Sequence, residues 1–215
     1  MASKDARCRF YLLTPPAIAL PEFADELAAA LDAGDVAAVQ LRLKDLPREQ
    51  IARAAEALRP IVQSRGVAFI LNDYPDIAAE TGCDGAHIGP EDMPYREARR
   101  LLGPDAIVGV SVKTSRHAAM VAAEEGASYV AFGAFFDSAT KGVAANADPE
   151  ILEWWSALMV VPCVAIGGIT PENCAPLVRA GADFICASSG VWKHPDGPAA
   201  GVRAYNGAIE KTLAS

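Results

Sequence analysis

Short β-rich runs alternate with amphipathic stretches eight times along this chain, and that alternation restricts its fold more than any other feature. The runs fall at 10–13, 36–41, 67–71, 85–88, 107–112, 129–136, 160–166 and 184–187. Several are continuously apolar, as strands covered on both faces must be. Between them, apolar residues recur at helical spacing: Phe23, Leu27, Ala30 and Leu31, then Ile51, Ala54, Ala55, Leu58 and Ile61, and later Val202, Tyr205, Ile209 and Leu213. Gly34, Gly66, Gly82, Gly126 and Gly181 follow such stretches, where a helix ends on a residue of positive φ. Thr170 and Pro171 supply an N-cap and an N1 proline, which predicts a helix opening there. Eight strand–helix units in 215 residues predict an α/β fold, a single (β/α)8 TIM barrel near the small end of its size range. The expected domain spans 1–215, with the barrel core over about 8–192 and a closing helix over about 198–213. The structural alternative is an open doubly wound sheet. That fold usually carries a glycine fingerprint after its first strand, where this chain has Thr14, Pro15 and Pro16.

Parallel strands in a barrel point the same way, so every strand-to-helix loop opens on one face. Polar clusters lie at those strand ends: Gln40, Arg42, Lys44 and Asp45; Asn72 and Asp73; Asp92; Ser111; and Ser138, Thr140 and Lys141. In a barrel they ring a single cavity, and its cations and hydroxyls suit an oxyanion. The seventh and eighth units add Gly167-Gly168 and Ser188-Ser189-Gly190. Small residues there let backbone N–H groups approach a phosphate. Asp73 and Asp92 fall on adjacent loops, and two carboxylates beside phosphate-binding cations suit Mg²⁺. Helix capping is the competing role for Asp73, which precedes Tyr74 and Pro75. His87 ends an apolar strand and is read as a hydrogen-bonded structural residue.

Charge and cysteine content narrow the partners. A formal net charge of -8 and a pI near 4.9 argue against nucleic acid or an anionic membrane, yet leave room for a small anion in a cleft where cations are focused. The five cysteines are widely spaced, with no C-x-x-C pair, and read as thiols in a reducing compartment. The N-terminus offers no apolar signal core and no segment runs to eighteen apolar residues, so a cytoplasmic protein is expected. The Trp154-Trp155 pair is read as helix packing, or as the mark of a homo-oligomer interface if exposed.

In order along the chain stand Gln40-x-Arg42-x-Lys44-Asp45, Asn72-Asp73, His87-x-Gly89 with Glu91-Asp92, Gly109-Val110-Ser111, Ser138-x-Thr140-Lys141, and Ala165 through Ile169. Together they resemble the motifs of the thiamine phosphate synthase family, within the superfamily that also holds TenI-type thiazole tautomerases. The resemblance runs from about Tyr11 to Val191. It implies a transferase of thiamine biosynthesis that couples hydroxymethylpyrimidine diphosphate to hydroxyethylthiazole phosphate and releases pyrophosphate. By that likeness Gln40 and Ser111 contact the pyrimidine, while Arg42, Lys44, Asn72 and Lys141 hold the diphosphate. It also implies Mg²⁺ on Asp73 and Asp92, Ser138 and Thr140 in the anion pocket, and the thiazole phosphate on Gly168, Ser188 and Ser189. Two departures stand out: Pro90 where many members carry Gln, and an uncharged stretch at 142–146. A TenI-type tautomerase would need a proton shuttle, and the residue after Gly133 is Ala134 instead of His. A non-catalytic phosphate-binding barrel is the other alternative.

Overall fold

A computed structural model describes residues 8–137 and 146–215. Eight parallel strands close into a barrel in sequence order: β1 Arg9–Leu13, β2 Val36–Leu41, β3 Ala68–Asn72, β4 Gly85–Ile88, β5 Ile107–Lys113, β6 Tyr129–Phe132, β7 Cys163–Ile166 and β8 Phe184–Ala187. Closure is made by β1 against β8, with Phe10 opposite Ile185 and Leu12 opposite Ala187. The surrounding helices are α1 Leu20–Leu31, α2 Arg48–Gln63, α3 Pro75–Thr81, α4 Tyr95–Leu102, α5 Arg116–Glu124, α6 Glu150–Leu158, α7 Ala175–Arg179, α8 Ser189–Trp192 and α9 Pro198–Leu213.

Alternation along each strand sorts side chains into two cores. Tyr11, Leu13, Ala38, Ile70, Tyr129, Ala131, Val164 and Cys186 point inward and fill the barrel. Their neighbours Phe10, Leu12, Val39, Phe69, Val130 and Ile185 point outward and bury against the helices. Each such fully covered large side chain contributes about 1.5–3 kcal/mol of transfer free energy. The last helix seals the join: Tyr205 of α9 stacks on Phe10 with ring centroids 4.6 Å apart and donates its hydroxyl to the Ile169 carbonyl at 2.8 Å. Trp155 is fully buried edge-on to Phe132 and donates its indole N–H to Val161.

Local expectations need four adjustments. The runs at 129–136 and 160–166 yield strands of four residues each. Pro162 cannot donate to a ladder, and Val160 before it is 98% exposed. The Phe135 and Phe136 N–H groups donate to the carbonyls of Ile166, the last residue of β7, and of Gly167 just past it. Thr170 to Asn173 form a turn, closed by the Asn173 side chain accepting the Thr170 N–H at 2.7 Å, and α7 starts only at Ala175. Gly66, Gly82, Gly126 and Gly181 have positive φ as expected, but Gly34 does not. A side chain at Gly34 is instead excluded by Asn206, whose Oδ1 would lie 2.1 Å from its Cβ.

Among the described residues no helix is long and apolar enough to cross a membrane. All five cysteines are free thiols, and four of them are buried.

Candidate active site

The ends of β2 to β5 surround a polar cavity of about 320 Å³ lined by Gln40, Arg42, Lys44, Asn72, Asp73, Asp92 and Ser111. A larger cavity of about 680 Å³, reaching Gly168, Ser188 and Ser189 at the ends of β7 and β8, shares Arg42, Pro90, Ser111 and Lys113 with the first. The two are lobes of one space. Every candidate residue among those described therefore lines it, and Ser138, Thr140 and Lys141 lie outside the described residues.

In the polar lobe the side chains are arranged by short loops. Thr14 Oγ1 accepts the Arg42 N–H at 2.9 Å, and the Pro16 carbonyl accepts the Lys44 N–H at 3.0 Å, so the loop after β1 fixes the loop after β2. Asp73 has φ of 68° and its N–H is held by the His87 carbonyl at 2.9 Å. Its carboxylate meets Lys44 Nζ at 2.8 Å. It does not cap α3, whose N-cap is Tyr74 with no side-chain bond. Asp92 closes a turn over Gly89, Pro90 and Glu91: its carboxylate accepts the Gly89 N–H at 2.7 Å while its own N–H reaches the Gly89 carbonyl at 3.2 Å. Pro90 takes the second position of that turn, which its fixed φ favours.

Burial, and then the nearby Asp73 carboxyl, push the Asp92 carboxyl above the ordinary aspartate value; the Gly89 N–H and Lys44 pull the other way. Two carboxyl groups crowded so that one resists ionisation form a place that favours a cation. Among the described residues no group of three or more acidic, histidine or cysteine ligands is assembled. Two carboxylates suffice for Mg²⁺, which keeps several waters and takes the rest of its oxygens from substrate phosphates. The donor set fits that ion.

Two further signs point to a polar ligand. Gln40 and Asn72 are 4% and 7% exposed, and Gln40 Nε2 and Asn72 Nδ2 have no hydrogen-bond partner among the described residues. Such buried donors are costly unless a ligand or water satisfies them. Arg42 and Lys113 add cations with no ion-pair partner among the described residues.

In the larger lobe, Ser188 spends its hydroxyl on the Thr14 carbonyl at 3.1 Å. The Val191 and Trp192 N–H groups of α8 bond to the Ser188 carbonyl, which leaves the Ser189 and Gly190 N–H groups without a backbone acceptor among the described residues, at the strand-end face of the barrel. Gly168 has φ of 62°, and a Cβ there would lie 2.4 Å from the Asp137 carbonyl oxygen. Its glycine is thus demanded by the fold itself, besides any room it leaves for an anion.

Sequence reasoning missed Lys113 and Thr14. Lys113 ends β5 just past a register shift that follows Ser111 and has φ of 53°, a local irregularity that alternation along the strand does not predict. Thr14 carries no sequence signal beyond standing where an open sheet would have its glycine fingerprint, and its role is visible only in its bond to the Arg42 N–H.

Residues 10–191 match the family model described as thiamine monophosphate synthase. The chain belongs to that family. The matched segment contains all the candidate residues, from Gln40 to Ser189. A thiamine-phosphate synthase of Rhodospirillum centenum is 67% identical over 199 residues, covering 93% of this chain and 96% of that protein. One from Hyphomonas neptunium is 50% identical over 209 residues, covering 95% of each. Among solved structures, a thiamine phosphate pyrophosphorylase from Pyrococcus furiosus superposes with a TM-score of 0.82 at 27% identity, covering 97% of this chain and 98% of that one.

Proposed function

We propose that this member of the thiamine monophosphate synthase family couples hydroxymethylpyrimidine diphosphate to hydroxyethylthiazole phosphate. The observation that carries the reading is the two-lobed cavity. One lobe joins a carboxylate pair to cations and unsatisfied amide donors, the other ends in small residues at a helix start, and the lobes share Arg42 and Ser111. That space accommodates two phosphorylated molecules side by side.

The bond between the pyrimidine methylene carbon and the diphosphate oxygen breaks, and its electron pair leaves with pyrophosphate. The thiazole nitrogen lone pair then forms the new C–N bond, leaving that nitrogen quaternary. Charge therefore accumulates on pyrophosphate oxygens in the transition state, where Arg42 and Lys44 stabilise it more than they stabilise the bound ester. Lys141 is assigned the same role from the sequence resemblance. Asp73 and Asp92 would hold Mg²⁺, which when bound supplies neutralisation of the leaving group's charge. Asn72 donates to the diphosphate, while Gln40 and Ser111 orient the pyrimidine. Gly168 and Ser189 offer backbone N–H groups to the thiazole phosphate, with Ser188 holding that turn to β1. No protein nucleophile takes part. The buried free thiols fit a reducing cytoplasm. Homo-oligomerisation is a further expectation, checked by mass measurement in solution.

A coupling assay with both phosphorylated substrates tests the reading. Thiamine phosphate formed with added Mg²⁺ and lost on chelation supports it. Product formed equally in chelator removes the metal from the scheme, and no product under any metal favours a phosphate-binding barrel.

A further inference from the structure

Four side chains make one hydrogen-bonded line from inside the barrel to the cavity floor. Tyr11 Oη lies 2.9 Å from Tyr129 Oη, Tyr129 Oη 2.9 Å from His87 Nδ1, and His87 Nε2 2.8 Å from Ser111 Oγ. Strand register builds the line. His87 pairs with Gly109 and Gly109 with Tyr129 across β4, β5 and β6, so the three share a layer. A Cβ on Gly109 would sit 2.0 Å from Tyr129 Cζ. Its absence lets the phenol ring stack on the imidazole at 5.6 Å between centroids, 19° from parallel.

Proton counting gives the line a direction. Burial pushes both phenols up from their ordinary value, so each keeps its proton. Tyr11 is 4% exposed, and among the described residues its hydroxyl has Tyr129 as its hydrogen-bond partner. If Tyr129 donated to Tyr11, the Tyr11 proton would be left buried without an acceptor, which is costly. Tyr11 therefore donates to Tyr129, and Tyr129 donates to His87 Nδ1. The imidazole then carries its proton on Nε2 and donates to Ser111 Oγ. An imidazolium is disfavoured by the same count, because its Nδ1–H would turn Tyr129 back toward Tyr11. The Ser111 proton is the one left over at the cavity.

We infer that Tyr11, Tyr129 and His87 are positioning residues that hold Ser111 as a hydrogen-bond donor toward an acceptor nitrogen of the pyrimidine ring. The identity of that acceptor rests on the synthase reading above, whereas the direction of the line does not. In the reverse direction Ser111 would spend its proton on His87 and could only accept from an amino group.

The direction is read from the tautomer of His87 by ¹⁵N-labelled histidine NMR of the full chain, assigned against His87→Gln. A neutral ring protonated on Nε2 is expected. Protonation on Nδ1, or on both nitrogens at neutral pH, overturns the inference and does so without any turnover measurement. Tyr129→Phe should erase the tautomer preference, whereas Tyr11→Phe should keep it, since Tyr129 still donates. The opposite ordering also overturns it, and if Tyr129→Phe fails to fold, the parent spectrum decides. The acceptor is tested with pyrimidine diphosphate analogues in which either ring nitrogen is replaced by C–H. One of them should bind about ten-fold more weakly to the parent but not to Ser111→Ala. An equal loss in both proteins removes the donor role from Ser111. A correct tautomer in a protein that makes no thiamine phosphate would sink the synthase reading and leave the relay standing.

Discussion

Gly109→Ala adds one methyl group at the crowded layer that links His87 to Tyr129, and its cost can be worked from distances. The added Cβ would lie 2.0 Å from Tyr129 Cζ and 2.4 Å from both Cε atoms, against an ordinary carbon contact of about 3.5–4.0 Å. The phenol ring must retreat by about 1.5 Å to reach the near end of that range. Because Cζ carries the hydroxyl, the oxygen is displaced with it, and its two bonds of 2.9 Å, to Tyr11 and to His87, are bent and weakened. Overpacking costs about 1–3 kcal/mol, and the two weakened bonds add part of the about 0.5–1.5 kcal/mol that each is worth. Gly109 is not in the left-handed region, so alanine brings no backbone strain, and its smaller unfolded-state entropy returns about 0.4–1 kcal/mol. A net loss of about 2 kcal/mol corresponds to a fall in Tm of about 4–8 °C for a chain of this size. Thermal melting measures it, and in a Tyr129→Leu background, where the colliding ring and its two bonds are already gone, Gly109→Ala should cost much less than in the parent. A Tm within about 2 °C of the parent, with the His87 tautomer unchanged, would refute the reasoning, since errors of that size fall below one kcal/mol.

The Asp92 carboxyl is raised by folding, so the stability it contributes is present at low pH and lost as pH rises through its folded value. Asp92→Asn should therefore raise the metal-free Tm at neutral pH while increasing the Mg²⁺ needed for half-maximal rate by about ten-fold or more; unchanged melting and metal titrations would remove Asp92 from this role. Arg42→Ala should lower kcat by roughly ten- to a thousand-fold, and Arg42→Lys should restore only part because a point charge cannot replace a bidentate fork. Steady-state kinetics with turnover equal to the parent would exclude Arg42 from leaving-group stabilisation. Gly168→Ala should destabilise the fold, given its positive φ and the Asp137 carbonyl in its way, whereas Ser189→Ala keeps its N–H and should hold the apparent KM for the thiazole phosphate within about two-fold. A large rise in that KM would place the Ser189 hydroxyl on the ligand.

The barrel was legible because parallel strands buried on both faces leave continuous apolar runs, and once the topology is a barrel, strand ends become a common face. Gln40, Asn72, Asp73 and Ser111 could thus be brought together without coordinates. Strand ends were less legible: the apolar run through Phe136 continues past β6 because Phe135 is buried while its N–H bonds to the carbonyl of Ile166. Hydrophobicity reports burial, and burial does not distinguish a strand from a covered loop. Gly168 shows the same limit from the other side, since a glycine needed for an anion and a glycine needed for a tight backbone look alike in sequence. His87 is the most instructive residue. Both its ring nitrogens are hydrogen-bonded, as its reading as a structural histidine expects, and it also lines the polar lobe. What sequence could not supply is the register that puts Gly109 between it and Tyr129. With that register, the bonds that make His87 structural are also the ones that decide which way Ser111 presents its proton.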